Sequence, residues 1–179
     1  MRLTKSEDCF KCRDCCAFYK EGDDRDASPT FTPEERLDAD SIVSGENFIY
    51  LPKKKLYQAK LVDYAIDGPD TEFLACIFLN QDTHACKIYA VRPFDCVIWP
   101  YIIIRDAKGR IGLRLYHKTH CPSMNKQDDE AIKKHSAYFS EELKKHYPML
   151  KKNPSLILDY DTDYFEMTDH VTFLDGLDE

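Results

Sequence analysis

The run 9-CFKCRDCC-16 places four cysteines within eight residues near the start of the chain. Such a run cannot be the interior of a packed helix or strand. It reads as a loop whose conformation is set by whatever the sulfurs hold: a metal ion, an iron–sulfur cluster, a disulfide network or a redox thiol pair. The full set is Cys9, Cys12, Cys15, Cys16, Cys76, Cys86, Cys96 and Cys121, eight in 179 residues. That density lies below the ~8–10% of small disulfide scaffolds. In a reducing compartment, closely spaced cysteines bind metal more often than they pair covalently.

The compartment itself is read from the chain. MRLTKSEDCF has no apolar stretch of the kind a secretory signal needs. No apolar run approaches the roughly 20 residues a helix needs to cross a bilayer, and 97-VIWPYIII-104 is interrupted by Pro100. A cytoplasmic, non-membrane protein is expected. Hydrophobic residues make up 43% of the chain, enough for a globular core. The net charge of −7 argues against general nucleic-acid binding. Basic residues do cluster at 53-KKK-55 and 144-KKHYPMLKK-152, either as solvated surface or as a docking patch for an acidic partner.

The pattern along the chain predicts an α+β fold, a small antiparallel sheet with flanking helices and cysteine-rich loops. In 32-TPEERLDADSI-42, Thr32 can cap a helix, Pro33 suits its first position and Glu35 completes a capping box. Strand character is read in 47-NFIYL-51, 72-EFLACIFL-79 and, ambiguously with helix, 57-YQAKLVDYAI-66. A helical turn is expected after Arg92. The clearest hairpin is 101-YIIIRD-106 and 110-RIGLRLY-116, with Gly109 in the turn. The clearest helix is 127-QDDEAIKKHSAYFSEELKKHY-147, acidic at its start and basic at its end, with Ala131, Ile132, Tyr138, Phe139 and Leu143 as its apolar face and Pro148 ending it. A strand pair, 155-SLILDY-160 and 164-YFEMTDHVTFL-174, closes the chain. Residues 1–122 are expected to form the cysteine-bearing domain, with 123–179 an extension packed on it.

Spacing narrows the chemistry. Two-residue spacers, as in C-x2-C-x2-C-C, let successive thiolates curl around one centre, an arrangement used by four-sulfur zinc sites and by cubane iron–sulfur clusters. A distant cysteine before proline, here Cys121-Pro122, resembles the last position of the bacterial ferredoxin run. Cys15 and Cys16 are neighbours, and in extended chain their side chains point to opposite sides. One arrangement that eight thiols allow is two four-ligand centres sharing this loop. Cys76, Cys86 and Cys96 recur at even intervals across a hairpin and the turn after it, so strand pairing can bring them together. Cys76 also fits the role of a small buried hydrophobe. His84 and His120, each near a cysteine, are nitrogen-ligand candidates or ordinary surface groups. A thioredoxin-like pair is disfavoured because the motif neither follows a strand nor opens a helix.

CFKCRDCC, 74-LACIFL-79, 86-CKIYAVRPFDCVIWP-100 and 120-HCP-122, taken in order, resemble the YkgJ-like cysteine-cluster family of CxxCxxCC type. The resemblance covers roughly residues 9 to 122 and implies zinc or iron chelation through Cys9, Cys12, Cys15, Cys16, Cys76, Cys86, Cys96 and Cys121. A related domain in the flagellin lysine methylase keeps an enzymatic reading open. Many members have an arginine after the position of Cys96. Here Val97 stands there, so no role for that arginine carries over. On its own terms, Arg92 before Pro93 is placed to donate hydrogen bonds to thiolate sulfur and offset its charge, or to form a surface ion pair. Trp99 and Tyr89 are read as core aromatics that can also screen the centre from water.

Three functions follow. An iron–sulfur protein with one or two centres of the 4Fe-4S type would pass electrons or the cluster to a protein partner, either a redox or an assembly partner. A structural zinc protein would use the metal to fold its loops and present a binding surface. A metal-assisted transferase or oxidoreductase would need an open coordination position, and the chain has no glycine-rich cofactor loop to support it.

Overall fold

Hydrogen-bond pairing of short strands around an aromatic centre builds the first half of the molecule. The computed structural model describes residues 14–20, 28–64, 73–117 and 124–177. Cys9, Cys12, His120 and Cys121 lie outside the described residues. The chain divides into two compact units, one ending at Val97 and the other beginning at Ile98. The fold class is α+β, as the pattern predicts, with the antiparallel pairing distributed over three small sheets rather than one.

In the first unit, a 3-10 turn at Asp14–Cys16 leads into β1 (Ala17–Tyr19). β2 (Thr30–Phe31) is followed by α1 (Pro33–Ile42), then β3 (Phe48–Leu51), β4 (Leu56–Ala59), β5 (Leu61–Asp63), β6 (Phe73–Cys76) and the short α2 (Phe94–Ile98). The helix-start signature is realised in full at α1: Glu35 N–H donates to Thr32 Oγ1 at 3.2 Å, and the Glu35 carboxylate accepts from Thr32 N–H at 2.8 Å. One sheet runs β1-β6-β5 and the other β2-β4-β3, all antiparallel. The described part of the ambiguous segment, up to residue 64, therefore holds strands β4 and β5, separated by Lys60 alone as the chain passes from one sheet to the other. Lys60 N–H donates to Asn47 O at 2.9 Å and Ile77 N–H donates to Lys60 O at 3.0 Å, so the crossing leaves neither group unpaired.

Phe31, Phe48 and Phe78 form the centre of this unit, with ring centroids 4.9, 5.8 and 5.4 Å apart. Ala39 of α1, Ala59, Ile88 and Cys76 pack around them. Offset and edge-on contacts of this kind add about 0.5–1.5 kcal/mol per pair beyond the area buried. They compensate for strands of no more than four residues.

The second unit is built on the predicted hairpin, β7 (Tyr101–Arg105) and β8 (Ile111–Tyr116), with β9 (Thr168–Phe173) completing the order β7-β8-β9. Gly109 takes φ +81° in the turn, a conformation that L side chains rarely adopt. Asp106 Oδ1 accepts from Lys108 N–H at 2.8 Å and Arg110 N–H at 2.9 Å, which closes the turn. β7 is buried from Tyr101 to Ile104. The predicted helix is α3 (Asp129–Leu143), capped by Asp128. Its buried face carries His135, Ser136 and Leu143, while Tyr138 is exposed. Tyr101 explains the difference: its hydroxyl lies 2.9 Å from His135 Nδ1 and 3.0 Å from Ser136 Oγ, so two polar residues are buried with partners, and its ring stacks on Phe139 at 4.6 Å. Trp99 packs its ring on Tyr116 at 4.8 Å.

Two boundaries differ from the pattern. α3 ends at Leu143, before a 3-10 turn at Lys144–His146, so Pro148 does not close it; Pro148 sits in the first turn of α4 (Tyr147–Lys152), where its missing N–H costs nothing. At the C-terminus, 155–160 does not form a strand. A 3-10 turn at Pro154–Leu156 is followed by a single parallel bridge from Leu158 to Ile104. Residues 162–166 form α5 (Thr162–Glu166), because the Asp161 side chain accepts from Asp163 N–H at 2.8 Å and starts a helix before β9.

Candidate metal centre

Three segments of the first unit bring cysteines towards one another. Cys15 lies in the turn before β1, Cys76 ends β6, and Cys86 pairs with Leu79 in an antiparallel bridge. The hairpin tip between Cys76 and Cys86 is held by Asn80: its side-chain oxygen accepts from Asp82 and Thr83 N–H, both at 3.0 Å, and its backbone N–H donates to Ala85 O at 2.9 Å. His84 takes a positive φ of 58° within that tip. Cys96 lies on α2, whose first turn follows Pro93. Cys76 is buried, Cys15 is exposed, and Cys16, Cys86 and Cys96 are partly buried. Cys16, Cys76, Cys86 and Cys96 carry free thiols.

Electrostatics shows how these four thiols relate. Every pair among Cys15, Cys76, Cys86 and Cys96 interacts as charges would. Burial pushes the Cys76 thiol up to about 12, and the neighbouring Cys86 and Cys15 add to the effect, against a hydrogen bond from Phe78 N–H and the charge of Lys87. Burial also raises Cys86, opposed by a hydrogen bond from Ile88 N–H and by Arg92. Cys96 is raised well above the ordinary thiol range by burial, then by Asp95, then by the other three cysteines. In each case burial is the larger cause and the neighbouring thiols add to it. A bound cation reverses the balance and deprotonates a coordinating thiol outright. Among the described residues, no group of three His, Cys, Asp or Glu side chains stands within coordinating geometry. The convergence is thus one of charge range, which reaches further than the ~2.3 Å of a zinc–sulfur bond.

Cys16 faces different surroundings from Cys15. It packs against the Phe31–Phe78 cluster and against a second apolar group of Tyr64, Ala75 and Leu79.

Cationic groups border the thiols. Arg92 Nε is buried with no hydrogen-bond partner among the described residues. Its guanidinium lies over the Tyr89 ring, 4.6 Å from the centroid, and lowers the cost of ionising Cys86. A buried donor without a partner, within charge range of Cys86, is a group that a thiolate could satisfy by a charge-assisted hydrogen bond. Lys87, which pattern reading passed over, donates from Nζ to Ile77 O at 3.2 Å, and its charge is felt by both Cys76 and Cys86. Its position directly after Cys86 was the available signal.

A second group of contacts escaped the sequence altogether. Glu35 Oε1 accepts from Phe94 N–H at 2.6 Å, fifty-nine residues away in the chain. Asp95 Oδ2 accepts from Thr30 N–H at 3.0 Å and from Thr30 Oγ1 at 3.1 Å. No local spacing encodes bonds of this length.

Short strands in an α+β fold, with thiols of several segments within charge range of one another, characterise the first unit. The chain belongs to the CxxCxxCC family, described as "Putative zinc- or iron-chelating domain", whose pattern matches residues 8–128. It is also similar to a Methanocaldococcus jannaschii protein named "Uncharacterized protein MJ0661", 35% identical over 63 residues, covering 32% of this chain and 35% of that one. The chain thus matches about a third of that relative's length. No solved structure matches the chain. The family description supports metal binding and is compatible with either zinc or iron. Among the described residues, no helix is long and apolar enough to cross a membrane.

Proposed function

We propose that this chain holds an iron–sulfur cluster of the 4Fe-4S type and passes electrons, or the cluster, to a protein partner. Cys15, Cys76, Cys86 and Cys96 are the thiols at its centre, with Cys9, Cys12 and Cys16 of the opening run as further ligand candidates. The observation that carries this reading is the mutual interaction of four thiols drawn from three separate segments. A cluster of this kind supplies a one-electron redox couple, tuned by hydrogen bonds to sulfur and by nearby charge. The chain's own part is to provide those groups. Arg92 offers an uncommitted buried N–H and is held flat against Tyr89. Lys87 adds positive charge beside Cys76 and Cys86. The exposure of Cys15 leaves one side of the centre within reach of a partner.

The structural zinc reading is favoured by a different observation, the shortness of the strands in this unit, which a bound ion would staple. One experiment separates the two. Protein isolated anaerobically is analysed for iron, zinc and acid-labile sulfide. Iron and sulfide in comparable amounts, with a brown colour, support the cluster. A colourless protein with stoichiometric zinc and no sulfide rejects it.

A further inference from the structure

A capping-box glutamate ordinarily completes its work within its own helix. Thr32 N–H is satisfied by Glu35 Oε2 alone, at 2.8 Å. The second oxygen, Oε1, reaches out of α1 to Phe94 N–H at 2.6 Å. Pro93 has no N–H, so Phe94 supplies the first backbone donor at the start of α2, and Cys96 follows two residues later. Asp95 answers in the opposite direction, accepting from the Thr30 backbone and hydroxyl. The segment Thr30–Glu35 and the turn Phe94–Cys96 thus exchange carboxylates, each side accepting from the other. Cys86 is tied to the segment that follows β6, by its bridge with Leu79 and by Lys87 N–H donating to Phe78 O at 2.8 Å. Among the described residues Cys96 has no comparable pairing, and its turn is held by these two acids together with Val97 N–H donating to Pro93 O at 3.0 Å.

We propose that Glu35 is a positioning residue for the cysteine centre: it clamps the start of α2 so that Cys96 is held facing Cys15, Cys76 and Cys86. This rests on the thiolate-centre reading above and assigns Glu35 no contact with metal. Groups that orient metal ligands from behind typically contribute 10–100-fold in metal affinity. Glu35→Gln leaves one carbonyl oxygen where two acceptors are needed, and turns an NH2 group towards one of the two N–H donors. Thr32→Val is the matched comparison. It removes the hydroxyl that caps α1 and leaves both Glu35 oxygens with their N–H donors.

The test uses full-length reduced apoprotein titrated anaerobically with Co(II), read through the thiolate-to-cobalt charge-transfer absorption, together with the melting temperature of each apo form. The expected result is that E35Q weakens cobalt binding about 10–100-fold, while T32V melts at a similarly lowered temperature and keeps wild-type affinity. Equal affinity of E35Q and wild type overturns the proposal. So does a parallel loss of affinity in both variants, which would reduce the role of Glu35 to helix stability. Should E35Q not fold, Glu35→Asp decides: it keeps the charge but is one methylene shorter, so it cannot hold both N–H donors, and about tenfold weaker binding supports the clamp, whereas wild-type binding overturns it. Absence of cobalt binding by the wild type would overturn the thiolate-centre reading itself. Wild-type binding with an unaffected E35Q overturns this inference alone.

Discussion

The unit ending at Val97 and the unit beginning at Ile98 stabilise their strands with different materials. The second has strands of five and six residues in β7 and β8, and its hairpin buries Tyr101, Ile102, Ile103, Ile104, Ile111, Leu113 and Leu115. Its polar interior is small and paired, with Tyr101 bonded to His135 and Ser136. The first has strands of two to four residues, a core of three phenylalanines and a set of thiols whose burial raises rather than relieves their electrostatic cost. Apolar burial contributes roughly 25 cal/mol per Å² wherever it occurs. A buried thiol contributes as a small hydrophobe and gains much more once it coordinates a cation. The comparison teaches that the second unit is held by longer strands and a paired polar interior, while on the proposed metal-binding reading the first, with its short strands, takes part of its stability from a bound ion.

The largest effect that could break this comparison is metal removal. A thiolate site of structural-zinc strength is worth on the order of 10 kcal/mol of folding free energy. Chelation of the metal-loaded protein should therefore strip hydrogen-exchange protection from β6 and the 77–91 hairpin, with β7 and β8 unchanged. Equal loss of protection in both units would end the distinction. The next largest is Leu113→Ala. Leu113 is fully buried in β8, and truncation of such a residue costs about 2–5 kcal/mol. The unfolding transition of the second unit should shift while the metal content of the protein stays the same. A variant that loses metal as well would show that the two units do not hold their stability separately.

The smallest effect is a pH dependence confined to the second unit. His170 is depressed below the ordinary histidine range, first by burial and then by Arg114 and Arg110, against a small opposing influence of Asp106. Its folded form therefore prefers the neutral ring, and the unfolded chain binds the proton more readily. Stability linked to His170 is fully present above the unfolded value of about 6.5 and is lost as pH falls through the lower folded value. Denaturant midpoints measured across that window should rise with pH in wild type, and the slope should flatten in His170→Gln. An unchanged slope in the variant would assign the dependence elsewhere.

Much of this was legible in local pattern. Thr32, Pro33 and Glu35 announce α1 because a capping box closes within one helical turn. Gly109 between two β-branched arms announces the β7–β8 hairpin. Asp128 and the acids after it announce α3. The misreadings have equally local causes. The apolar content of 155–160 matched a strand, but Pro154 and the cap at Asp161 favour turn and helix on either side, leaving one bridge at Leu158. Tyr138 looked like part of the buried face of α3, yet His135 is buried instead because Tyr101, on a strand far off in sequence, supplies its partner.

The cysteine spacing by itself determined the chemistry this chain is equipped for, since the identity and order of sulfur donors are properties of the covalent chain. The helix caps and hairpin turn were determined in the same way, by contacts spanning a few residues. Only the tertiary structure decided which of the described thiols come within charge range of one another, that Cys16 packs against the apolar core, and that Glu35 and Asp95 bind across the unit to Phe94 and Thr30. The Glu35–Phe94 and Asp95–Thr30 pairings join residues 59 and 65 positions apart, where the driving force is burial shared across many side chains and no short motif can specify the partner.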